Sequence, residues 1–591
     1  TCEATRVRGE QSAEAFDLRM ACLGRHRIEL EATIETLSAR VSVTTLRGAS
    51  GLVASLPSVQ QCADVEHLRD RGGPTDPEQA AQVQQLGERL ARARALVRAG
   101  RTDEAASIAD ELERRTTELD AVVLHGETMM LRGRLAQVAR DDPDTEQWFE
   151  RAYADGVEAR HAPLAIDASV RLVDWLGSHE ARTTEAELWA QQARAWLRDR
   201  GEDDPRHTQL LMAEGSVYQV AGRLDDAQQA YSRAVARLER QADSEGLADA
   251  HRTLGTAQMG LGDARAASEH FTEELALRRR LLGEQHPSVG RAHRSLGATL
   301  YVAGELPKAL AHFERALAII EASLGPEHPM LAGILGNLGS VRDDLGDSDE
   351  ARELLERALA IMEAAEGTGV TEHVGMLGNL ASALRHGGQP LAAAEHLRRA
   401  ATLIEQAHGP THPEHVALLT ELGTVLLEAG RGAAAREVLE QAEGLRSSLP
   451  ADASLVSADA AAALGRLLRE QGEPAGAVPL LADAIVHYEG LGTPLDPRRG
   501  RTLLELGRAR MTLGEARAAR MALEDAIVLL AHRQQDSAVL AAARFELAQA
   551  LIADGGDTTE RAKSLAGDAL AGLDEDDPLR GRIRSWLDAH P

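Results

Sequence analysis

The sequence is poor in aromatic residues and contains no long apolar run. Phe, Trp and Tyr make up 3% of the 591 residues, whereas Leu, Ala, Arg and Glu are abundant. Because β-sandwiches and barrels draw on aromatic and β-branched residues, a large β architecture is disfavoured and an all-α fold is predicted. No window approaches 18 uncharged apolar residues, so we expect no membrane insertion by this chain.

Basic residues are too few for a nucleic-acid-binding protein. Against 65 Lys and Arg stand 93 Asp and Glu, for a net charge of −28. Such a chain repels phosphate backbones, and no basic stripe is interleaved with aromatics. Catalytic patterns are also missing, since no Ser/His/Asp or Cys/His nucleophile arrangement has local support. We therefore predict that this chain is not an enzyme and takes no cofactor.

The cysteines and histidines do not predict a metal site. None of the three cysteines lies in a CxxC pattern or at ligand spacing from a histidine. His408, His412 and His415 lie within eight residues, but two of them belong to a connector and the following helix start. His286, His328 and His412 recur in equivalent connectors and are interpreted as turn or capping residues. No metal is expected.

Glycine recurs at a constant interval of 42 residues. Five positions after each of the first seven glycines comes an alanine, and a Leu-Gly or Leu-Ala pair precedes each by seven or eight positions. Each unit reads as two amphipathic helices joined at the Gly, packed closely at the small residues, with a bulky apolar residue filling the gap. Such pairs stack because one alone cannot bury its apolar face. The recurring glycines are Gly262, Gly304, Gly346, Gly388, Gly430, Gly472, Gly514 and Gly556.

The pattern resembles the tetratricopeptide repeat, in the longer variant similar to kinesin light chain repeats. The segments LGEQHP (282–287), LGPEHP (324–329) and GPTHP (409–413) resemble the connector of that variant. The resemblance implies a right-handed α-α superhelical solenoid whose concave face binds a protein or peptide. We count about twelve helix pairs between residues 82 and 573.

Four segments are expected along the chain. Residues 1–75 form an N-terminal long-helix hairpin region, 76–205 degenerate repeat pairs, 206–573 the regular repeats, and 574–591 a C-terminal capping helix with Trp586 and Leu587 packed inward.

Repeat register singles out a basic group of candidate peptide-binding residues. The position two before the consensus Leu holds Arg252 and then Arg294, and Arg291 lies one turn before Arg294. With Arg385, these residues could form a patch for acidic peptide groups or phosphates. The alternative is a solvated helix face that offsets nearby acids.

In the next two repeats the same position holds Gly336 and Gly378, followed by Asn337 and Asn379. One interpretation is a groove floor cleared of side chains, where the two amides pair with the backbone of a bound peptide. Asn at this position matches kinesin-light-chain-like repeats, where it contacts the peptide. The alternative is close packing between neighbouring helices with the asparagines solvated.

The N-terminal segment contains all three cysteines. Apolar spacing from Phe16 to Leu37 predicts one long helix with Ser12 as its N-cap. If the chain reverses at Gly9, Cys2 and Cys22 come close enough for a disulfide, which is our hypothesis. The alternative is inert buried thiols.

The whole chain also resembles the region after the kinase domain in myxobacterial Ser/Thr protein kinases. The segments that carry the resemblance are CEATRVRGEQS (2–12), DLRMACL (17–23) and LPSVQQCADVEHL (56–68). In such relatives a kinase domain and often a membrane helix come first, so this resemblance implies a fragment outside the cytoplasm. Otherwise the chain would be cytoplasmic.

Three functions remain open at this point. They are a protein- or peptide-binding scaffold, the ligand-sensing tail of a transmembrane kinase, and the effector-sensing tail of a multidomain transcription regulator. Kinase motifs are missing from these residues.

Overall fold

A computed structural model describes residues 12–39, 62, 76–139, 143–241, 244–365, 369–450, 453–491, 496–531, 537–555 and 558–590. Every regular element in these ranges is helical, and they contain 26 α-helices, which confirms the predicted all-α fold class. The chain divides into two compact units, residues 1–305 and 306–591. None of the helices in the described ranges is long and apolar enough to cross a membrane.

Unit 1 begins with one long helix, followed by pairs whose members are connected by short turns. A five-residue π-helix, Trp175–His179, continues α6. The α-helices are α1 (Ala13–Ala39), α2 (Pro77–Arg98), α3 (Thr102–Glu118), α4 (Val122–Ala139), α5 (Thr145–Glu158), α6 (Ala162–Asp174), α7 (Thr183–Leu197), α8 (Pro205–Val220), α9 (Leu224–Gln241), α10 (Ser244–Gly260), α11 (Ala264–Leu282) and α12 (Pro287–Val302).

Unit 2 continues the series of pairs and ends with one short helix. Its helices are α13 (Leu306–Leu324), α14 (Met330–Asp344), α15 (Ser348–Ala364), α16 (Val370–His386), α17 (Pro390–His408), α18 (Pro413–Glu428), α19 (Gly432–Leu445), α20 (Ser454–Glu470), α21 (Pro474–Gly490), α22 (Pro497–Thr512), α23 (Ala516–Leu530), α24 (Ser537–Asp554), α25 (Thr559–Ala571) and α26 (Leu579–Ala589).

The recurring glycines make the turn inside each pair. The first seven have φ between +71° and +90°, the left-handed region that favours glycine. At Gly304 the turn is closed by two bonds: the Gly304 amide donates to the Tyr301 carbonyl at 2.9 Å, and Glu305 to Leu300 at 2.9 Å. This is the usual glycine-terminated helix end. Gly556 lies outside the described residues, but Gly555 has φ +82°.

In five of the six Leu-Gly pairs the glycine faces a bulky residue sixteen positions later, on the second helix. A Cβ on Gly423 would lie 2.4 Å from Leu439 Cγ, and a Cβ on Gly255 would lie 3.0 Å from Phe271 Cζ. The same contact joins Gly133 to the Phe149 ring in a repeat that has no turn glycine. The predicted close approach of paired helices at small residues is therefore confirmed.

The degenerate repeats keep the turn glycine in only some of their pairs. Gly100, between α2 and α3, has φ +73°, whereas the turn between α6 and α7 has Ala181 with φ +53°. Asp120 and Arg160, with φ of +50° and +49°, lie between successive pairs, and the amide after each makes the same closing bond, as Ala121 donates to the Thr116 carbonyl at 2.9 Å. A non-glycine residue in this conformation costs roughly 1–2 kcal/mol, so the packing of the neighbouring helices must supply it.

The predicted long N-terminal helix exists as α1, and Ser12 caps it: its Oγ accepts a bond from the Ala15 amide at 3.1 Å. The predicted Cys2–Cys22 disulfide was wrong in its partner. Cys22 is bonded to Cys62, with the two Cα atoms 5.6 Å apart, within the range that a disulfide requires. Cys2 and the predicted hairpin turn lie outside the described residues.

The terminal helix α26 buries Ile583, which was not predicted, more deeply than the two residues that were, Trp586 and Leu587. Ile583 is fully buried, while Trp586 and Leu587 are half-buried. The Trp586 ring meets Phe545 of α24 edge-on, at a centroid distance of 6.0 Å.

Candidate protein-binding surfaces

Within each unit the first helices of successive pairs form a row. The second helix of one pair packs against the first helix of the next, as α3 does against α4. Successive first helices also touch, as α2 touches α4 in unit 1 and α20 touches α22 in unit 2. We call these the first-helix rows. They consist of α2, α4, α6, α8, α10 and α12 in unit 1, and of α14, α16, α18, α20, α22 and α24 in unit 2.

The predicted basic residues of unit 1 lie on α10 and α12. Arg252, Arg291 and Arg294 are exposed, and Arg294 has no ion pair among the residues that the structure describes. Arg252 reaches Asp249 at 3.8 Å, and Arg291 donates to Ser288 Oγ at 3.0 Å.

A buried arginine accompanies this patch. Arg278 of α11 is 5% exposed and makes ion pairs with Glu274 at 2.8 Å and Asp249 at 2.7 Å. Partial burial of its guanidinium lowers the pKa of Arg291, and the charges of Arg278 and Arg252 lower it further. The three guanidinium groups therefore act on one another, and the patch can attract an anion.

The predicted asparagines of unit 2 lie at equivalent places on α14 and α16. Asn337 is half-buried, Asn379 is exposed, and neither makes a hydrogen bond within the described part of the chain. A side chain at Gly378 would meet nothing within 4 Å. At Gly336 the Met376 side chain fills the space, with Cε 2.7 Å from where a Cβ would stand. Packing thus explains Gly336, whereas open space surrounds Gly378.

The last predicted residue, Arg385, is on α16 and half-buried. Its guanidinium lies 3.4 Å from Glu428 of α18, so part of its charge is already offset. The neighbouring Glu421 has a raised pKa because of burial, which the charge of Arg385 opposes.

Sequence reasoning missed a second arginine cluster at the other end of unit 1. Arg94 and Arg98 of α2, Arg134 of α4 and Arg171 of α6 lie on the first-helix row. Arg98, Arg134 and Arg171 have no ion pair in the described ranges, and Nη1 of Arg98 is buried without a hydrogen-bond partner.

Electrostatics shows that these charges are close together. Burial lowers the pKa of Arg134 to about 9, and the charges of Arg171, Arg94 and Arg98 contribute to the fall. The charge of Asp167 opposes this fall, but that carboxylate also bonds to Arg206 at 2.7 Å. Uncompensated like charges at one place are costly, and they favour an anionic partner.

The repeat register could have revealed this cluster, through the position that follows the small residue of each first helix. Arg94 and Arg134 each follow the small residue of the closely packed helix pair, Ala93 and Gly133. Because turn glycines are missing around α4, the 42-residue pattern gives no reference point there.

Two of the three connector histidines predicted as turn or capping residues cap a helix through their side chains. Nδ1 of His286 accepts a bond from the Ser288 amide at 3.1 Å, and Nδ1 of His328 accepts from Met330 at 3.2 Å. The third, His412, stands at the N-cap position of α18, but its side chain makes no capping bond within the described residues.

One group of side chains has the composition of a metal site. Ligand atoms of Cys22, His26 and Cys62 lie within 4.8 Å of one another. Because the two sulfurs are bonded to each other, they cannot serve as thiolate ligands in this state.

Two sequence-family models match the chain, both described as tetratricopeptide repeat. The first matches residues 208–280, 288–364 and 373–448, and the second matches 252–323, 420–490 and 462–537. Together they span residues 208–364 and 373–537, which is more than half of the 591 residues. No curated protein matches the sequence.

Solved structures with helical repeats are similar to this chain at low identity. BtubC from P. vanneervenii is 21% identical over 39% of this chain and 92% of its own, with a TM-score of 0.34. A putative kinesin light chain from Podospora anserina with nearly identical repeats is 24% identical over 34% and 94%, with a TM-score of 0.31. The APC/C hetero-tetramer Cut9–Hcn1 is 14% identical over 86% and 97%, with a TM-score of 0.37. With TM-scores below 0.5, these structures add nothing to what the two sequence models establish.

Proposed function

The chain belongs to the tetratricopeptide repeat family, and from that premise we propose that it is a scaffold that binds an extended, acidic segment of a partner protein on its first-helix rows. Repeats of this kind bury one face against their neighbours and leave the other available for a partner. Each unit is considered by itself: the row of unit 2 offers amides to a peptide backbone, and the row of unit 1 offers guanidinium groups to acidic side chains.

The observation that carries the proposal is the placement of asparagine. Asn337 and Asn379 are the only two asparagines in the 591 residues, and they stand at the same repeat position, 42 residues apart. Neither is used in a cap or a turn, the places where asparagine usually serves the fold. A primary amide donates and accepts at once, which matches a peptide group. Open space at Gly378 leaves room for a backbone to approach.

The charge of the partner follows from the arginines. The chain has a net charge of −28, yet four arginines on the first-helix row of unit 1 make no ion pair with any residue that the structure describes. They are Arg98, Arg134, Arg171 and Arg294. Arg–carboxylate bonds are stronger than neutral hydrogen bonds. An acidic segment would complete them.

The test is selection of peptides from a random display library against the full chain. We expect enriched sequences that are net negative and that bind a variant with both Asn337→Ala and Asn379→Ala at least tenfold more weakly. The matched control carries Gln406→Ala and Gln441→Ala, which remove exposed amides from the second helices α17 and α19. That control should bind as the unchanged chain does.

Two results would contradict the proposal. One is a selection that yields no binding peptide. The other is a set of peptides that the asparagine double variant and the control double variant bind with equal affinity.

The regulatory-tail alternative stays a prediction. Its test is the sequence of the gene upstream of Thr1, where a kinase domain and a membrane helix would have to be encoded.

A further inference from the structure

A cavity of about 350 Å³ lies in unit 1 between the C-terminal ends of α7 and α9 and the first half of α8. Its size falls near the lower end of the roughly 300–1,000 Å³ typical of small-molecule sites. Two of its walls come from the second helices α7 and α9, so the cavity is not part of the surface formed by the first-helix rows.

Arginine dominates the walls. Arg194, Arg198, Arg200, Arg233 and Arg237 line the cavity together with His207. Two of the arginines are matched by carboxylates: Arg194 lies 2.6 Å from Glu214, and Arg200 lies 3.3 Å from Asp204.

The other three, Arg198, Arg233 and Arg237, have no ion pair within the described ranges. Glu202 also lines the cavity, but its contact with Arg237 is through its backbone carbonyl, which accepts a bond from Nη2. The cavity therefore carries an excess of positive charge in a chain whose net charge is strongly negative.

Three polar atoms of the lining are buried and have no hydrogen-bond partner among the described residues. They are Nε of Arg237, Nε2 of His207 and Oε1 of Glu214, and the last of these is offset by the ion pair with Arg194. An unsatisfied buried polar group costs roughly 1–3 kcal/mol, and a charged group costs more. Burial lowers the pKa of His207, and the charge of Arg237 lowers it further, against the opposing effect of Asp204 and Glu202. A bound anion would satisfy Arg237 and reverse its effect on the imidazole.

We propose that this cavity binds a small phosphorylated molecule, with Arg198, Arg233 and Arg237 contacting the phosphate oxygens. Phosphate presents several acceptors to the planar donor fork of arginine, and two phosphates would match three guanidinium groups better than one carboxylate. A purely structural explanation is that cations near helix C-termini offset the helix dipoles. This explanation accounts for the positions of Arg198 and Arg237, whose charges would stabilise the helix ends, but it predicts no saturable binding of an anion.

The experiment is calorimetric titration of the full chain with sodium pyrophosphate, at fixed ionic strength, with inorganic phosphate and sulfate as comparison anions. We expect one saturable site that prefers pyrophosphate. Arg198→Gln and Arg233→Gln are exposed changes that should leave folding intact, and each should weaken pyrophosphate binding about tenfold or more. Arg265→Gln is the control, because the Arg265 side chain is 93% exposed on α11 of the same unit. It should bind pyrophosphate unchanged.

Several outcomes overturn the proposal. They are no saturable binding of pyrophosphate, equal weakening by Arg265→Gln, and binding that neither cavity variant affects. A phosphoserine peptide library that binds here while pyrophosphate does not would also overturn it, in favour of a phosphorylated partner protein. The variant lacking Asn337 and Asn379 should bind pyrophosphate normally, which separates this site from the peptide surface.

Discussion

The close approach at Gly423 and the open space at Gly378 predict opposite effects for the same substitution. Both glycines lie inside helices of unit 2, where replacement by alanine gains about 1 kcal/mol in helix propensity. At Gly378 nothing lies within 4 Å of the new methyl group, so Gly378→Ala should keep that gain.

At Gly423 the new Cβ would stand 2.4 Å from Cγ and 2.6 Å from Cδ2 of Leu439. Cγ is the branch point of a fully buried side chain, so the whole leucine or the helix must move. Overpacking of this kind costs about 1–3 kcal/mol. After subtraction of the propensity gain, Gly423→Ala should destabilise its repeat by up to about 2 kcal/mol.

Hydrogen exchange followed by mass spectrometry suits the measurement, because repeat arrays open locally and need not unfold in one step. Peptides from α18 and α19 should exchange about tenfold faster in Gly423→Ala, and peptides from α16 should exchange more slowly in Gly378→Ala. Leu439→Ala should cost less in the Gly423→Ala background than in the unchanged chain, since the two sites share one space. If both glycine variants shifted exchange in the same direction, the explanation of the repeat by helix contact at the small residue would be refuted.

Three further predictions concern unit 1. Peptide mapping without reductant should find Cys22 linked to Cys62 and should not find Cys2 in that linked peptide; a Cys2–Cys22 peptide would contradict the prediction. Loss of this disulfide should lower the free energy of unfolding by about 4 kcal/mol, from the loop-closure entropy of a sequence separation of 40. The Nδ1 atoms of His251 and His270 lie 2.9 Å apart, and burial lowers the pKa of both residues, although the charges of nearby glutamates, Glu239, Glu269 and Glu273, oppose the effect. The free energy of unfolding should therefore fall as the pH drops below about 6.5. The thermal midpoint of His270→Gln should depend less on pH between 7.5 and 5.5 than that of the unchanged chain, and an equal dependence would refute this assignment. Since the pKa of Arg134 is lowered, its charge destabilises the folded state at every pH below about 9. Arg134→Met should therefore slow hydrogen exchange in α4 at pH 7 by an amount equivalent to about 1–3 kcal/mol, and it should weaken the binding of acidic peptides. Faster exchange would contradict the claim that the clustered charges destabilise this part of the fold.

The regular repeats were predictable because one residue type performs one task at a constant spacing. Gly304 and its equivalents show the turn directly, since few residues other than glycine adopt φ near +76° at little cost. The pairing of Gly255 with Phe271 follows from the same register. In the degenerate repeats that link is broken, because Ala181 adopts the turn conformation inside a pair despite its side chain, and Asp120 and Arg160 adopt it between pairs.

The binding surfaces were predictable in part. Register located Asn337, Asn379 and the arginines of α10 and α12, but it could not show that Met376 fills the space over Gly336. Clusters assembled from several helices, such as Arg134 with Arg171, depend on packing that the spacing within one repeat does not reveal. The partner of Cys22 likewise depended on where a distant segment returns.

Photo-crosslinking of a selected acidic peptide tests the central claim most directly. A benzophenone amino acid placed at exposed Gly375, on the first helix α16, should crosslink the peptide, whereas the same group at Gln406 on the second helix α17 should not. Crosslinking from position 406, or equal crosslinking from both positions, would contradict the assignment of partner binding to the first-helix row.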